Sequence, residues 1–241
     1  MYEQRFEGKK IAVLDVDGTL SKGYFITKFP LVLLEKSLFN TEKLNNMRRA
    51  EEELRTGKST YYNTGIKIQD AYAKGIKNQK QEDILEVGFE FVKQNPEFLF
   101  SYSKELIEIL KNYNYVVILE SGSPLDVILP FGKLLGADLI YATKYTIKKG
   151  IYTGKWKGTP TLSKRKQKTV QRFIELHNSD VENSIGFGDS YLDFPFIREL
   201  GNGVIFTPKP EVIKTIKENN WLICNKEDEV LNQVLELLKT I

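Results

Sequence analysis

"KKIAVLDVDGTLSKG", residues 9–23, is an apolar run that ends in two carboxylates, Asp15 and Asp17, and then breaks at Gly18 and Thr19. Side chains two residues apart on a strand point to the same face, so both carboxylates can project into one crevice. The glycine allows a sharp turn after the pair, and Thr19 can start a hydrogen-bonded turn. Because a buried charge is costly unless it is compensated, the pattern predicts a divalent cation beside the pair. The alternative is a strand end with two solvated acids.

The chemistry that uses such a pair is phosphoryl transfer. One carboxylate attacks phosphorus to give an aspartyl phosphate, and the other gives its proton to the leaving oxygen. A bare D-x-D is common, but the full D-x-D-G-T pattern is expected by chance in roughly one of several hundred chains of this length. The stretch therefore favours an enzyme.

Short, continuously apolar runs recur along the chain and predict the buried strands of a parallel sheet. They span residues 11–16, 115–120, 138–142, 184–188, 203–206 and 221–224. Amphipathic helical patterns lie between several of them, at 104–112, 169–178 and 211–220. This alternation predicts a doubly wound, Rossmann-like α/β core with a ligand at the carboxyl ends of its strands.

Two segments do not follow the alternation. Residues 21–97 are charged, helical in pattern and without a strand pattern, and they predict a small helical cap. The α/β catalytic core then consists of residues 1–20 and 98–241. Residues 144–156 predict a β-hairpin that turns at Lys149 and Gly150.

Composition excludes several classes of protein. The chain has 241 residues, 41% of them apolar, and a net charge of only +3, which gives no strong field toward nucleic acid or membrane. Cys224 is the only cysteine, so no internal disulfide is possible, and a reducing cytoplasm is expected. The first residues lack the apolar segment of a signal peptide, and no apolar run is long enough to span a bilayer. The single histidine, His177, excludes sites that need two imidazoles.

A hydroxyl follows the second predicted strand, in "VVILESGSP", residues 116–124. The Oγ of Ser121 and the backbone N–H groups around Gly122 can hold a phosphate oxygen in an anion nest. Ser123 is the second choice for this role, and an ordinary loop is the alternative interpretation.

A fixed positive charge for phosphate is available in residues 161–176. The basic residues at the start of this run are Lys164, Arg165, Lys166 and Lys168. In a helix, Lys166 shares a face with Val170 and Phe173. Because that apolar face packs on the sheet, Lys166 should lean over the strand ends and its neighbours should lie in water. The alternative is that all of these side chains are solvated.

Another apolar strand precedes Asp189 in "SIGFGDSYLDFPFI", residues 184–197. Asp189 is placed to ligate Mg²⁺, a hard cation that takes a few carboxylates and keeps several waters. Asp193, four residues later, can orient Lys166 or a metal-bound water. Helix capping by Asp189 or Ser190 is the alternative.

These elements together resemble the four signature motifs of the haloacid dehalogenase superfamily of phosphohydrolases. "DVDGT", Ser121 after a strand, a helical lysine and "GDSYLD" carry the resemblance. "ESGSP", "YTGKW" and "KQKTVQRF" are similar to the branch that contains phosphoserine phosphatases, in which a helical cap follows the first motif.

The resemblance implies a role for each matching residue and Mg²⁺ as the cofactor. Asp15 would be the nucleophile and Asp17 the general acid and base. The metal would be held by Asp15, the backbone carbonyl of Asp17, and Asp189. The phosphoryl group would be bound by Ser121, Gly122 and Lys166, with Lys168 as the fallback lysine. Supporting positions would be Asp193, Thr19 and Ser190.

The chain departs from this branch at the residues that recognise the serine moiety. Phosphoserine phosphatases carry a glutamate shortly after the first motif and an arginine in the cap. Here residues 20–29 contain no acid and residues 56–72 contain no arginine, which argues against phosphoserine. Tyr24, Tyr61 and Tyr62 can instead present aromatic faces to a bulkier phosphate ester, with core packing as the alternative.

The favoured function is therefore Mg²⁺-dependent hydrolysis of a small-molecule phosphomonoester. A phosphotransferase or mutase with the same aspartyl phosphate is the close alternative, and a dehalogenase would leave Asp17 without a task. Nucleic-acid binding is the hypothesis from another class, because residues 148–172 hold nine basic residues and no acid, with Tyr152 and Trp156 among them.

Overall fold

The structure, a computed structural model, describes residues 3–157 and 162–241. Eight strands are described: β1 (Ile11–Leu14), β2 (Val116–Pro124), β3 (Leu139–Thr143), β4 (Tyr145–Lys148), β5 (Ile151–Trp156), β6 (Ile185–Gly188), β7 (Asn202–Phe206) and β8 (Leu222–Cys224). Six of them form one parallel sheet in the order β3-β2-β1-β6-β7-β8. β4 and β5 form a separate antiparallel pair.

Helices account for most of the remaining described chain. The α-helices are α1 (Phe25–Glu35), α2 (Thr41–Arg55), α3 (Tyr61–Gly75), α4 (Gln81–Gln94), α5 (Ser103–Asn112), α6 (Leu125–Leu135), α7 (Leu162–His177), α8 (Phe194–Ile197), α9 (Ile213–Glu218) and α10 (Val230–Leu238). Within the described residues, none of these helices combines the length and the apolarity needed to cross a bilayer.

Both faces of the sheet are covered, which confirms the doubly wound α/β fold. The side chains of β1 alternate between two apolar clusters: Ala12 and Leu14 belong to one, and Ile11 and Val13 belong to the other. All four side chains are completely buried. A strand that is apolar at every position is therefore the expected pattern for this site in the sheet, since neither face meets water.

Several predicted boundaries were wrong. β1 ends at Leu14 and not at residue 16, and α7 begins at Leu162 and not at residue 169. β2 continues past its predicted end at residue 120 to Pro124, and its pairing with β3 shifts register between Glu120 and Pro124. Ser121 therefore lies in the irregular end of the strand and not directly after it. The helix predicted at 211–220 is a 3-10 turn, Pro210–Val212, followed by the short α9, because Pro210 favours the first turn and Asn219 ends the helix.

Residues 25–94 form the four helices α1–α4, in agreement with the predicted helical character of this segment. The ring of Phe25 lies 5.0 Å from that of Phe131 in α6 and 4.8 Å from that of Phe98. These contacts anchor the start of α1 on the side of the sheet that carries α6. The division into a cap at 21–97 and a core stays a prediction.

The hairpin is confirmed, with its turn at Lys149 and Gly150. Both residues have positive φ, 51° and 77°, as the tight turns that join twisted strands require. The loop between α3 and α4 pairs with this hairpin: Asn78 N–H donates to Tyr152 O, and Tyr152 N–H donates to Gln79 O, each at 2.9 Å. The hairpin is thus bonded to the helical segment.

Candidate active site

Asp15 follows the central strand β1, at the point where the strand order changes direction. β2 pairs on one side of β1 and β6 on the other, so a crevice opens at their carboxyl ends. The backbone N–H of Asp15 donates to Phe187 O of β6 at 3.0 Å and extends the pairing by one residue. The side chain of Asp15 is buried in this crevice.

Three carboxylates meet beside the end of β1. Oxygen atoms of Asp15, Asp189 and Asp193 all lie within 4.8 Å of one another. The chain passes close to them at Gly18, whose φ is +90° and where an added Cβ would stand 2.6 Å from Asp189 Oδ2. A cluster of carboxylate oxygens, and no nitrogen or sulfur, fits a hard cation such as Mg²⁺.

This cluster differs in one member from the predicted metal ligands. Asp193, expected only to support the site, contributes a carboxylate to the cluster, whereas the carboxylate of Asp17 points elsewhere. Asp17 was assigned to the metal through its backbone carbonyl, and that assignment stays a prediction. The two side chains stay close enough for the charge of Asp17 to contribute to the raised pKa of Asp15, but their carboxylates have different hydrogen-bond partners.

Lys166 is the buried cation of the site, as its helical face predicts. Its Nζ donates to Asp15 Oδ1 and, at 2.7 Å, to Asp193 Oδ1. Ser190 completes this arrangement, because its backbone N–H and its Oγ donate to Asp193 Oδ2 at 3.3 and 3.1 Å. Lys168, the fallback lysine, is exposed.

The site carries more negative than positive charge. Burial raises the pKa of Asp15 well above its usual value, against the charge of Lys166, and burial raises the pKa of Asp189 to about 7. Burial disfavours the charged form of Lys166, but the charges of Asp15 and Asp193 outweigh it and raise the pKa of the ammonium. One ammonium facing three carboxylates leaves room for a further cation.

Asp17 occupies a different environment from Asp15. Its Oδ1 accepts a hydrogen bond from Phe25 N–H at 2.7 Å, and its Oδ2 accepts one from each hydroxyl of Ser121 and Ser123 at 2.8 Å. Burial raises the pKa of Asp17, against these hydrogen bonds. A carboxyl group whose pKa is raised is suited to carry a proton to a leaving group.

The structure places the remaining predicted residues in the same crevice. Both serines of "VVILESGSP", residues 116–124, which we call the second motif, donate to Asp17, and the choice of Ser121 over Ser123 for phosphate stays a prediction. Ser121 Oγ also accepts the N–H of Ser123 at 3.0 Å, which folds the segment around Gly122. Thr19 Oγ1 donates to Asp15 Oδ2 at 3.1 Å.

Arg165 was expected in water, and this expectation was wrong. Its guanidinium donates to Ser121 O at 2.6 Å and to Thr143 Oγ1 at 2.8 Å, and it lies 3.4 Å from Glu120 Oε1. The sequence contained a signal for this contact, because Glu120 ends an otherwise apolar strand and a buried carboxylate needs a partner.

Gln69 is a residue that the sequence gave no reason to place here. It lies on α3, in the helical segment, and its Nε2 donates to Gly122 O at 3.0 Å. The hydroxyl of Tyr145 in the hairpin donates to Gln69 Oε1 at 2.5 Å and holds the amide in this orientation. The helical segment and the hairpin thus both reach the second motif.

Two of the three predicted aromatic residues lie near the acidic cluster. Tyr24 directly precedes Phe25 and is 54% exposed, and partial burial together with the charges of Asp189 and Asp17 raises the pKa of its phenol. Partial burial also raises the pKa of Tyr61, against the charge of Lys166. Tyr62 is as exposed as its neighbour Tyr61.

Comparison with known proteins identifies the family. A profile of the haloacid dehalogenase-like hydrolases matches residues 12–198. The chain is 23% identical over 215 residues to the phosphoserine phosphatase of Methanocaldococcus jannaschii, a match that covers 88% of this chain and 98% of that protein. It is 24% identical over 230 residues to the histidinol-phosphatase of Neisseria meningitidis serogroup C, with coverage of 90% and 99%.

A solved structure shows the same fold. A protein of unknown function from Bordetella pertussis Tohama I superposes with a TM-score of 0.73 at 17% identity, over 90% of this chain and 99% of that one. The matched profile extends from β1 through the turn that carries Asp189 and Asp193, and so contains every residue of the acidic cluster. The chain therefore belongs to the haloacid dehalogenase-like hydrolases.

Proposed function

We propose that this chain is a Mg²⁺-dependent phosphatase that hydrolyses a small-molecule phosphomonoester through an aspartyl phosphate on Asp15. Its class, a phosphoric monoester hydrolase, is supported by the family and by the phosphatase relatives. The observation that carries the mechanism is the difference in surroundings between Asp15 and Asp17, the two acids of "DVDGT". Asp15 faces Lys166 and the acidic cluster, whereas Asp17 is held by two hydroxyls and a backbone N–H.

In the first half-reaction, a carboxylate oxygen of Asp15 attacks phosphorus while the bond to the ester oxygen breaks. The proton of Asp17 goes to the leaving oxygen, so that a neutral alcohol departs. In the second half-reaction, Asp17 takes a proton from water as the water oxygen attacks phosphorus. The bond from phosphorus to Asp15 then breaks, and inorganic phosphate is released.

The remaining groups hold the phosphoryl oxygens. Lys166 supplies a fixed positive charge, and the Gly122 N–H supplies a hydrogen bond. The Ser121 hydroxyl, which donates to Asp17 here, would turn to a phosphoryl oxygen when substrate is bound. Mg²⁺, held by Asp15, the Asp17 carbonyl and Asp189, would neutralise charge on the transferring group. Asp193 and Ser190 fix the Lys166 ammonium from the other side.

For the substrate, we propose a phosphate ester bulkier than phosphoserine. Residues 20–29 bring no carboxylate to the site. Tyr24 lies directly before α1, where the chain passes from the site into that helix. Tyr24 and Tyr61 can enclose a planar leaving group between them. Histidinol phosphate, which the name of the Neisseria relative indicates for that protein, is one candidate of this kind.

A phosphotransferase with the same intermediate remains the second candidate, since an alcohol can replace water in the second half-reaction. The structure gives no support to nucleic-acid binding by the basic stretch. Lys166 and Tyr152, two members of the basic stretch 148–172, are buried, and part of that stretch, 158–161, lies outside the described residues. We also propose a cytoplasmic location, since a chain with a single cysteine can form no internal disulfide.

The direct test is a panel of phosphomonoesters assayed with Mg²⁺, with Asp15→Asn as the inactive variant and Asp228→Asn, at an exposed position, as the matched control. We expect the control to match wild type and Asp15→Asn to fold but to lose turnover. Hydrolysis retained by Asp15→Asn would exclude Asp15 as the nucleophile. Adding a sugar or polyol acceptor separates a hydrolase from a transferase, because only the latter gives a new phosphate ester.

A further inference from the structure

The second motif contains a short segment whose carbonyls are held by side chains. The β2–β3 pairing shifts register here, between Glu120 and Pro124. Ser121 O accepts from Arg165 at 2.6 Å. Gly122 O accepts from Thr143 Oγ1 at 2.7 Å and from Gln69 Nε2 at 3.0 Å.

A held carbonyl fixes the N–H of the same peptide. In a trans peptide the C=O and the N–H are coplanar and point in opposite directions, and the described residues contain no cis peptide. Ser121 O shares its peptide with the N–H of Gly122. The hydrogen bond from Arg165 therefore fixes the direction in which the Gly122 N–H points.

We infer that Arg165 is a positioning residue, whose guanidinium fixes the Ser121–Gly122 peptide so that the Gly122 N–H meets the transferring phosphoryl group. This inference rests on the proposed function. Arg165 itself contacts neither the acidic cluster nor, in the proposed mechanism, the substrate. It acts through the peptide that it holds.

The geometry of the contacts requires an arginine. One guanidinium reaches acceptors from two adjacent strands: Ser121 O and Glu120 Oε1 through Nη2, and Thr143 Oγ1 through Nη1. An ammonium is a single point of donors on a flexible stem, whereas the guanidinium presents a rigid planar fork. A lysine at position 165 could therefore make only some of these contacts.

Glu120 explains why the guanidinium stays in place. This residue is 1% exposed, and within the described part of the chain its Oε2 has no hydrogen-bond partner. Burial raises its pKa to about 7, against the charge of Arg165. Removing Arg165 alone would leave this acid without its counter-charge, so a loss of activity in that variant could reflect damaged folding.

The experiment therefore removes both charges. We compare Glu120→Gln/Arg165→Met with Glu120→Gln as its reference, and Arg172→Met, at an exposed position on the same helix, serves as the control. The thermal midpoint of each variant is measured first. The readouts are kcat, KM, and inhibition by orthovanadate and by inorganic phosphate, because orthovanadate mimics the transition state and phosphate mimics the ground state.

We expect the double variant to lose roughly 10- to 100-fold in kcat relative to its reference, less than the effect of deleting an oxyanion donor outright. The inhibition constant of orthovanadate should rise by a similar factor, whereas KM and the inhibition constant of phosphate change less than about threefold. Glu120→Gln/Arg165→Lys should fall between the reference and the Met double variant. Arg172→Met should match wild type.

Equal kcat and equal orthovanadate inhibition in the double variant and its reference would overturn the inference. A rise confined to KM would overturn it too, since it would show ground-state binding. If wild type hydrolyses no ester in the panel, the proposed function fails on its own. Stabilisation by orthovanadate in a thermal melt still tests Arg165 in that case, because a smaller shift in the double variant than in its reference supports the inference and an equal shift overturns it.

Discussion

The carboxylate of Asp17 accepts a 2.7 Å hydrogen bond from the backbone N–H of Phe25, the first residue of α1. The next N–H of the same helix, that of Ile26, donates to Ser123 Oγ at 3.1 Å. The proposed general acid is thereby bonded to the start of the helical segment. A movement of α1 would change the hydrogen bonding of Asp17 directly, so the position of this helix and the acidity of Asp17 are coupled.

The first prediction concerns the leaving group. Asp17→Asn keeps the shape of the side chain but removes the proton that it donates. We expect a loss of about 10²- to 10⁴-fold in kcat with an alkyl phosphate. The loss should be at least about tenfold smaller with p-nitrophenyl phosphate, because nitrophenolate leaves without protonation. Equal losses with both esters would mean that Asp17 does not act as the general acid.

The second prediction concerns the buried lysine. Lys166→Met removes the ammonium between Asp15 and Asp193 and leaves both carboxylates without it. We expect the free energy of unfolding to fall by about 3–5 kcal/mol in metal-free buffer, and turnover to be lost. Lys168→Met, on the exposed side of the same helix, should change stability by less than about 0.5 kcal/mol and keep turnover. Urea unfolding measures the stability of both variants, and a phosphatase assay measures their turnover. Turnover lost in Lys168→Met and kept in Lys166→Met would assign phosphate binding to Lys168.

Lys166 could be predicted from the sequence because helical periodicity is a local rule. Its face is shared with Val170 and Phe173, both of which are buried. Arg165 could not be placed in the same way. Its position depends on the end of β2, some 40 residues earlier in the chain, and on Thr143 of the neighbouring strand. Periodicity assigns a face to a side chain but does not name the strand that the face meets.

The same limit applies to the acids of the site. The sequence correctly brought Asp15 and Asp189 together, since the carboxyl ends of adjacent parallel strands share an edge. It did not predict that the two acids of residues 15–17 have different hydrogen-bond partners, because those partners come from distant parts of the chain. Asp15 contacts Lys166, whereas Asp17 contacts Ser121 and Ser123. The position of Gln69 could not be predicted from the sequence, since no local pattern fixes how α3 lies over β2.

The third prediction concerns the metal. The proposed Mg²⁺ would bind the folded chain and not the unfolded one, so it should raise the thermal midpoint in the absence of substrate, increasingly with concentration. Asp189→Asn should abolish the increase, because it removes one carboxylate of the acidic cluster. Asp228→Asn, an exposed acid, is the control. A shift of the same size in Asp189→Asn as in wild type would place the cation elsewhere.

The fourth prediction concerns substrate choice. Tyr24→Ala removes the aromatic face beside the acidic cluster without touching Asp17. We expect kcat/KM to fall at least about fivefold for an ester with a planar ring and to stay within about twofold for glycerol phosphate. Tyr62→Ala is the matched control, since that side chain is exposed to a similar degree. An equal loss for both esters would assign Tyr24 to packing and not to substrate binding.

The last prediction concerns stability against pH. Burial raises the pKa of Glu120 from 4.5 to about 7 in the folded chain. Between these values the folded state retains a proton that the unfolded state has lost, so the stability contributed by this group falls as the pH rises and the loss is complete above pH 7. The full effect is about 3 kcal/mol, since one pKa unit corresponds to about 1.4 kcal/mol.

Glu120→Gln removes this titration. The difference in unfolding free energy between the variant and wild type should therefore shift in favour of the variant from pH 4.5 to 7 and stay constant above that range. Other buried acids, among them Asp15 and Asp189, titrate in both proteins and cancel in the difference. Glu35→Gln, at an exposed position, should give a flat difference over the same range. A flat difference for Glu120→Gln as well would mean that Arg165 keeps Glu120 ionised throughout, and the carboxylate–guanidinium pair would then stabilise the end of β2 at every pH tested.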